Sequence, residues 1–131
     1  MSWECQDTGE WGEKLAAKML RRKRYRILGR RVKVGNRDEI DIIARNGEML
    51  VFVEVKTRKT EAYGSPASAV DKWKRHTLSR AAVRYLKKLR VPNVCFRFDV
   101  VEVIGNPDDG EPELRHIVDA FQLDKRYSLP F

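Results

Sequence analysis

The sequence predicts an α/β fold in which a mixed central sheet is flanked by helices. Three observations carry that expectation. Residues 9–24 and 72–89 place apolar side chains at helical spacing. Five other segments are β-branched or aromatic-rich. The segments follow one another in the order α-β-β-β-α-β-β. The 131 residues fit a single domain spanning 1–131, long enough to bury a core without staples, and a hydrophobic fraction of 42% is ordinary for a globular protein.

In the first segment Trp11, Leu15 and Met19 recur at every fourth position, with Ala16 and Leu20 beside them. Thr8 or Asp7 is placed to cap this helix, and the run Arg21, Arg22, Lys23 and Arg24 suits its C-terminus. Residues 26–34 alternate loosely as a strand. Residues 39–45 and 48–57 are the clearest strands: Ile40, Ile42 and Ile43, then Leu50 to Val53 with Val55, flank Asn46-Gly47. Asn-Gly between such runs marks a hairpin, because a type I′ turn needs positive φ at both central residues. Residues 58–70 contain Gly64, Ser65 and Pro66 and read as a loop. Asp71 can cap a second helix over 72–89, whose apolar stripe is Leu78, Ala81, Ala82, Tyr85, Leu86 and Leu89; Pro92 follows its end. Residues 94–104 alternate through Val94, Phe96, Phe98 and Val100 as a strand. Asn106 to Gly110 is a loop, and 113–120 reads as the last strand.

Lys and Arg total 27 against 19 acidic residues, a net charge of +8, which raises the odds of a polyanionic partner. A basic solvated surface explains the charge alone equally well. Cys5 and Cys95 form no CxxC pair, and no Cys/His cluster has zinc spacing, so a disulfide framework is not expected. The polar, acidic N-terminus does not read as a signal peptide, and the longest apolar run, Met49 to Val53, is far too short to span a bilayer. The expectation is a soluble, cytoplasmic protein.

The hairpin sets the chemistry. With Asn46-Gly47 as a two-residue loop, Asp41 faces Phe52 and Glu39 faces Glu54. Opposed residues share a sheet face and side chains alternate, so Glu39, Asp41, Glu54 and Lys56 project together. Asp41 and Glu54 become diagonal neighbours with backbones roughly 7–8 Å apart. A three-residue loop with a bulge would break this parity. On the other face Val51, Val53 and Val55 form an apolar row that should pack under a helix. Charges in such an apolar strand are costly unless paired or metal-bound. Carboxylates with few nitrogen or sulfur ligands suit Mg²⁺ or Mn²⁺. Such an ion polarises a phosphoryl oxygen and acidifies a water, and a lysine on the same face can orient the attack or neutralise the developing charge. These parts together describe phosphodiester hydrolysis. The competing reading is a structural ion pair between Glu54 and Lys56, with Asp41 merely near a strand end.

Asp41 followed by Glu54-Val55-Lys56 resembles the PD-(D/E)xK restriction-endonuclease-like superfamily. The segment EIDIIARNGEMLVFVEVKTR further resembles the bacterial YraN-like uncharacterised protein family, which is similar to archaeal Holliday-junction resolvases. The likeness includes GEKLAAKML before the hairpin, YGSPASAVDKWKR after it and FRFDVVEV near residue 100. The resemblance implies a restriction-endonuclease-like αβββαβ core with a Mg²⁺-dependent nuclease site. In it Asp41 and Glu54 are metal ligands, Lys56 is the catalytic lysine, and Glu13 matches the acidic residue on the first helix that completes such sites. Glu13 also shares a helix side with Ala16, Ala17 and Leu20. It has no Lys or Arg at i+3 or i+4, whereas Glu10 has Lys14. The chain departs from the usual Gly-Glu-Ile-Asp by carrying Asp38 before Glu39-Ile40-Asp41. Asp38 either extends the turn or adds a carboxylate near the site.

Positive charge clusters in 9–37 and in 72–90, while 99–124 carries Asp99, Glu102, Asp108, Asp109, Glu111, Glu113, Asp119 and Asp124. The asymmetry suggests a basic face that follows phosphates and an acidic face elsewhere. Arg58, Lys72, Arg75, Arg80, Arg84 and Lys87 are the nucleic-acid-binding candidates, with ordinary helix solvation as the alternative. Trp73 can stack on a base or serve as a core residue. DNA is the expected partner, branched DNA included, and a junction would require a symmetric homodimer for paired incisions. The rival readings are a non-catalytic nucleic-acid-binding module and an accessory scaffold of a DNA repair or recombination complex.

Overall fold

A computed structural model of the chain describes residues 2–59, 71–90 and 94–127. Its elements are α1 (Ser2–Arg22), β1 (Arg26–Val34), β2 (Asp38–Asn46), β3 (Met49–Arg58), α2 (Lys72–Leu89), β4 (Phe96–Ile104) and β5 (Glu113–Phe121). The five strands form one sheet in the order β1-β2-β3-β4-β5. Only β3 and β4 run parallel, and α2 is the crossover that parallel pairing requires. The architecture is the expected αβββαβ core, with β5 as an added edge. The loop containing Tyr63, Gly64, Ser65 and Pro66 and the position of Pro92 lie outside the described residues. No helix among the described residues is long and apolar enough to cross a membrane.

One helix covers each sheet face. Val51 and Val53 pack with Ala16, Ala17 and Leu20 of α1; Phe52 and Ile43 pack with Leu78, Ala81, Ala82 and Leu86 of α2. The Val51–Val53–Val55 row therefore lies under a helix as the alternation required. On α1 the fully buried residues are Ala16, Ala17 and Leu20, while Trp11, Leu15 and Met19 pack at the margin. Small side chains let this helix approach closely, so the large apolar residues become its flank rather than its centre.

Both helix C-termini end in left-handed residues. In α1 the Tyr25 N–H bonds the Leu20 carbonyl and the Arg24 N–H bonds the Arg21 carbonyl, with Arg24 at φ 70°. This is the Schellman arrangement, built here on arginine rather than glycine. The helix starts at Ser2, so Asp7 and Thr8 fall inside it rather than at its cap. For α2 the expectation holds: Asp71 Oδ1 accepts the Lys74 N–H at 2.8 Å.

The hairpin register corrects the expected one. Asn46 pairs with Met49, Arg45 with Leu50 and Ile42 with Val53, so the loop is Gly47-Glu48. Gly47 has φ 63°, and neither Asn46 nor Glu48 has positive φ. Glycine at the first central position is the type II′ pattern, which needs one positive φ instead of the two that Asn-Gly supplies in type I′. The shift moves pairing by an even step, so facial parity is kept over the paired stretch from Ile42–Val53 to Asn46–Met49.

The acidic run 99–124 is also corrected. Asp99 and Glu102 are 0% and 1% exposed and belong to the interior, not to an acidic face. Asp99 organises a buried network opposite an irregularity in β5. Arg97 Nε reaches its Oδ1 at 2.9 Å, the Asp119 N–H bonds the same oxygen, and His116 Nε2 lies 2.8 Å from Oδ2. Arg97 also donates to the Tyr25 hydroxyl at 2.7 Å. Burial alone would raise the Asp99 carboxyl, but the bonds from His116, Arg97 and Asp119 outweigh it and hold it below the usual range. Replacing Asp99 by alanine strands Arg97 and opens the β5 irregularity. The expected loss is about 3–5 kcal/mol in urea unfolding; a loss under about 1 kcal/mol would show that the network does not carry this part of the fold.

Candidate active site

β2 and β3 pair only from Ile42–Val53 to Asn46–Met49. Beyond Val53, β3 keeps β4 as far as Arg58–Ile104, while β2 keeps β1 as far as Asp38–Val34. The two central strands thus part at Asp41 and Glu54. Asp41 spans the opening: its Oδ2 accepts the Val55 N–H at 2.9 Å. That bond replaces the carbonyl the Val55 amide loses when the ladder ends. The ladder ends one step before Asp41 and Glu54, and the charge of Asp41 is felt at Glu54 across the opening.

Between the start of β2 and the first turns of α2 lies an open cleft of about 520 Å³, bordered by Arg37, Glu39, Asp41, Trp73 and Lys74. Glu54 is buried at 5% exposure. Its Oε1 lies 3.6 Å from Lys74 Nζ and 3.8 Å from Lys56 Nζ. Burial pushes the Glu54 carboxyl up to about 7, and the Asp41 charge adds to this against the pull of Lys74 and Lys56. Asp41 is raised as well, by burial first; the Val55 N–H opposes that, and the charges of Glu13 and Glu39 reinforce it. Two carboxyls that burial and mutual repulsion hold toward their protonated forms are a site that a dication would stabilise.

The remaining expected ligands stand around this pair. Glu39 is exposed and borders the cleft. Glu13 is 9% exposed and accepts a 2.7 Å bond from Arg31 Nε. Among the described residues, no three His, Cys, Asp or Glu side chains gather as they stand around one point that could hold a metal. The donor set nonetheless fits Mg²⁺ or Mn²⁺. These ions are commonly held by one or two carboxylates, with water and phosphate oxygens filling the rest. Asp41 and Glu54 would be the two.

The basic candidates divide. Lys72, Arg84 and Lys87 are exposed on α2. Arg80 is held by Asp38 through a two-pronged ion pair at 2.7 and 2.9 Å, which settles the role of Asp38: it clamps the start of β2 to α2. Hydrogen bonding to Arg80 lowers the Asp38 carboxyl in spite of burial. Arg58 lies 3.8 Å from Glu102, and Arg75 sits over the Phe121 ring.

Three residues escaped the sequence reading. Lys74 reaches Glu54 from the first turn of α2; its position just after the capping Asp71 was the available signal. Glu102 pairs with Lys56 in the strand register and has an oxygen without a hydrogen-bond partner among the described residues. Gly12 lets α1 lie against β3, where a Cβ would run into the Thr57 hydroxyl. Glycine inside a helical pattern was its signal.

A profile of the uncharacterised protein family UPF0102 matches residues 12–103. A UPF0102 protein of Geotalea daltonii is 46% identical over 117 residues, covering 88% of this chain and 89% of its own. One from Geobacter metallireducens is 42% identical over 123 residues, covering 94% and 98%. One from Symbiobacterium thermophilum is 47% identical over 113 residues, covering 86% and 94%.

Gly12→Ala is expected to destabilise the fold by about 1–3 kcal/mol through the Thr57 clash; unchanged urea unfolding would refute the close approach. The raised carboxyls give a pH dependence of definite sign. A carboxyl raised on folding binds its proton more tightly in the native state. Without divalent ions, stability therefore falls as pH climbs from 4.5 to about 7 and is lowest above that window. The loss is on the order of 3 kcal/mol for Glu54. Asp38 and Asp99 are lowered, so they act oppositely and only in acid. Unfolding curves from pH 4.5 to 8 should slope downward in the wild type and flatten in Glu54→Gln. A wild-type profile flat from pH 5 to 7 would remove the premise.

Proposed function

The chain belongs to the uncharacterised protein family UPF0102, and from that premise we propose that it is a Mg²⁺- or Mn²⁺-dependent endonuclease-like protein that hydrolyses DNA phosphodiesters. The observation that carries this reading is the meeting of Asp41 and Glu54 where β2 and β3 part, with Lys56 two residues along the same strand. A structural ion pair needs one acid and one base. Here two acids with raised carboxyls influence one another, Asp41 at the cleft and Glu54 buried beside Lys56 and Lys74.

Each side chain has a defined task. Asp41 and Glu54 would hold the ion, which would supply polarisation of a phosphoryl oxygen and acidification of a water. Lys56 orients that water or balances the negative charge as the phosphate becomes five-coordinate. Lys74, on the opposite wall, can hold a phosphate oxygen. Glu102, beside Lys56 in the register, lies 3.8 Å from Arg58 and adds negative charge at this end of β3. Exposed Lys72, Arg84 and Lys87 extend the cationic surface along α2 and would follow the backbone without reading sequence.

One observation favours the second reading, a non-catalytic binding module. Glu54 already has two lysines within 4 Å, so much of its charge is balanced without an ion.

Incubation with single-stranded, duplex and branched DNA in Mg²⁺ or Mn²⁺ separates the readings. Cleavage is expected, with losses of about 10²- to 10⁴-fold in Glu54→Ala and Lys56→Ala. Cleavage that survives unchanged in either variant sinks the site. Binding without cleavage on every substrate leaves the module.

A further inference from the structure

Trp73 is the most exposed of the large apolar residues described, at 67%, and it borders the cleft that holds Asp41. An indole left in water at the mouth of a charged cleft is not explained by packing. Its neighbour Lys74 reaches Glu54 at 3.6 Å, so Trp73 stands one residue from the proposed reaction centre. It is also braced. The Trp73 ring lies 5.4 Å from the His76 ring, and His76 lies 5.2 Å from Tyr127, in a tilted run of three rings. The Tyr127 hydroxyl lies 3.2 Å from His76 Nε2, which fixes the middle ring. Arg37 borders the same cleft and supplies positive charge beside the indole.

A rigid exposed indole next to cations, at the edge of a site proposed for phosphodiesters, matches the way single strands are held: bases stack on aromatic rings while cations track phosphates. In continuous duplex both faces of each base are already stacked, so an indole gains a base only where one is unpaired or splayed. We infer that Trp73 is the stacking platform for an unpaired nucleobase beside the phosphate held at Asp41 and Glu54. The substrate class is then DNA with a single-stranded or splayed nucleotide at the cut, and continuous duplex is a poor substrate. This inference rests on the nuclease reading for the cut and on Trp73 alone for the base.

The test uses the full chain in Ca²⁺, with a mixed-sequence single strand, a fully paired duplex and a fork with single-stranded arms. Trp73→Ala should lose about 5- to 150-fold in affinity for the single strand and the fork, the equivalent of one stacked base. Duplex affinity should stay within about twofold, and Trp73→Phe should keep most of the binding. In a Trp3→Phe, Trp11→Phe background, Trp73 emission should be quenched by the single strand and the fork but not by duplex. Equal effects of Trp73→Ala on all three DNAs, or unquenched emission, overturn the inference. The two readings fail separately. If Mg²⁺ supports no cleavage but quenching and selectivity persist, the platform stands without the nuclease. If Glu54→Ala abolishes cleavage while Trp73→Ala cuts single strand and duplex as the wild type does, the nuclease stands without the platform.

Discussion

The parting of β2 from β3, bridged by the bond from Asp41 to the Val55 amide, is the constraint on which the rest of the site depends. β3 is shared by two neighbours over its first half and has only β4 over its second. A strand that loses one neighbour exposes backbone and side chains at the same place. Here that place carries Glu54, Lys56 and Arg58 in succession on the face shared with α2. Parallel pairing with β4 then forces a crossover, and the crossover helix delivers its first turn, with Trp73 and Lys74, to the opening. One acceptor oxygen on Asp41 thus serves both the fold, by satisfying the amide, and the site, by fixing the carboxylate whose charge is felt at Glu54. Loss of the Asp41 side chain would leave the Val55 N–H unpaired as well as remove the charge.

The buried acids sort by how their charge is met. Asp38 is clasped by Arg80, and Asp99 by Arg97, His116 and a backbone amide; both are held in the ionised form. Asp41 and Glu54 are both pushed toward protonation by burial, and the Asp41 charge adds to this at Glu54. Asp38 and Asp99 are therefore well supplied with donors. The pair at the opening is pushed up chiefly by burial, against the pull of Lys56 and Lys74. That contrast within one chain is a stronger argument for an ion-binding role than the presence of carboxylates alone, because the same fold shows what it does with an acid that merely holds elements together.

Much of this was legible in the sequence because periodicity reports burial. The bounds of β1 and α2 followed directly from it, as did the two-faced character of β3. Within the paired stretch parity outlived the error in the turn, but alternation breaks near Asp41, where Ile40 and Ile43 both pack against α2 and Arg31 is left-handed. The turn itself was misread because Asn46-Gly47 satisfies type I′ chemistry, while the chain uses Gly47 alone and leaves Asn46 paired with Met49. The buried stripe of α1 was misread for a different reason. Trp11, Leu15 and Met19 dominate by size, but closeness to the sheet is set by Ala16, Ala17 and Gly12. Asp99 and Glu102 were read as surface acids because a one-dimensional charge run does not show that β4 lies between two covered neighbours.

Glu13 shows how an expected ligand can be close and yet engaged elsewhere. Arg31 belongs to β1 at φ 49°, between the pairs Arg30–Ile42 and Val32–Ile40, so the strand register sets it opposite Asp41. Its guanidinium turns to Glu13, and the charge of Glu13 is felt at Asp41. The side chain of Arg31 is 45% exposed, so this ion pair is a solvent-screened one worth about 0–1 kcal/mol. A dication at Asp41 and Glu54 would attract Glu13 and repel Arg31 at once, against a pair that costs little to part. The geometry therefore leaves two carboxylates fixed by the opening of the strands and a third held in reserve by a weak clasp. Since Mg²⁺ is commonly held by one or two carboxylates with water and phosphate, the fixed pair would be enough to hold the proposed ion. Glu13 would then act by strengthening the negative field at the opening, whether or not it touches the ion.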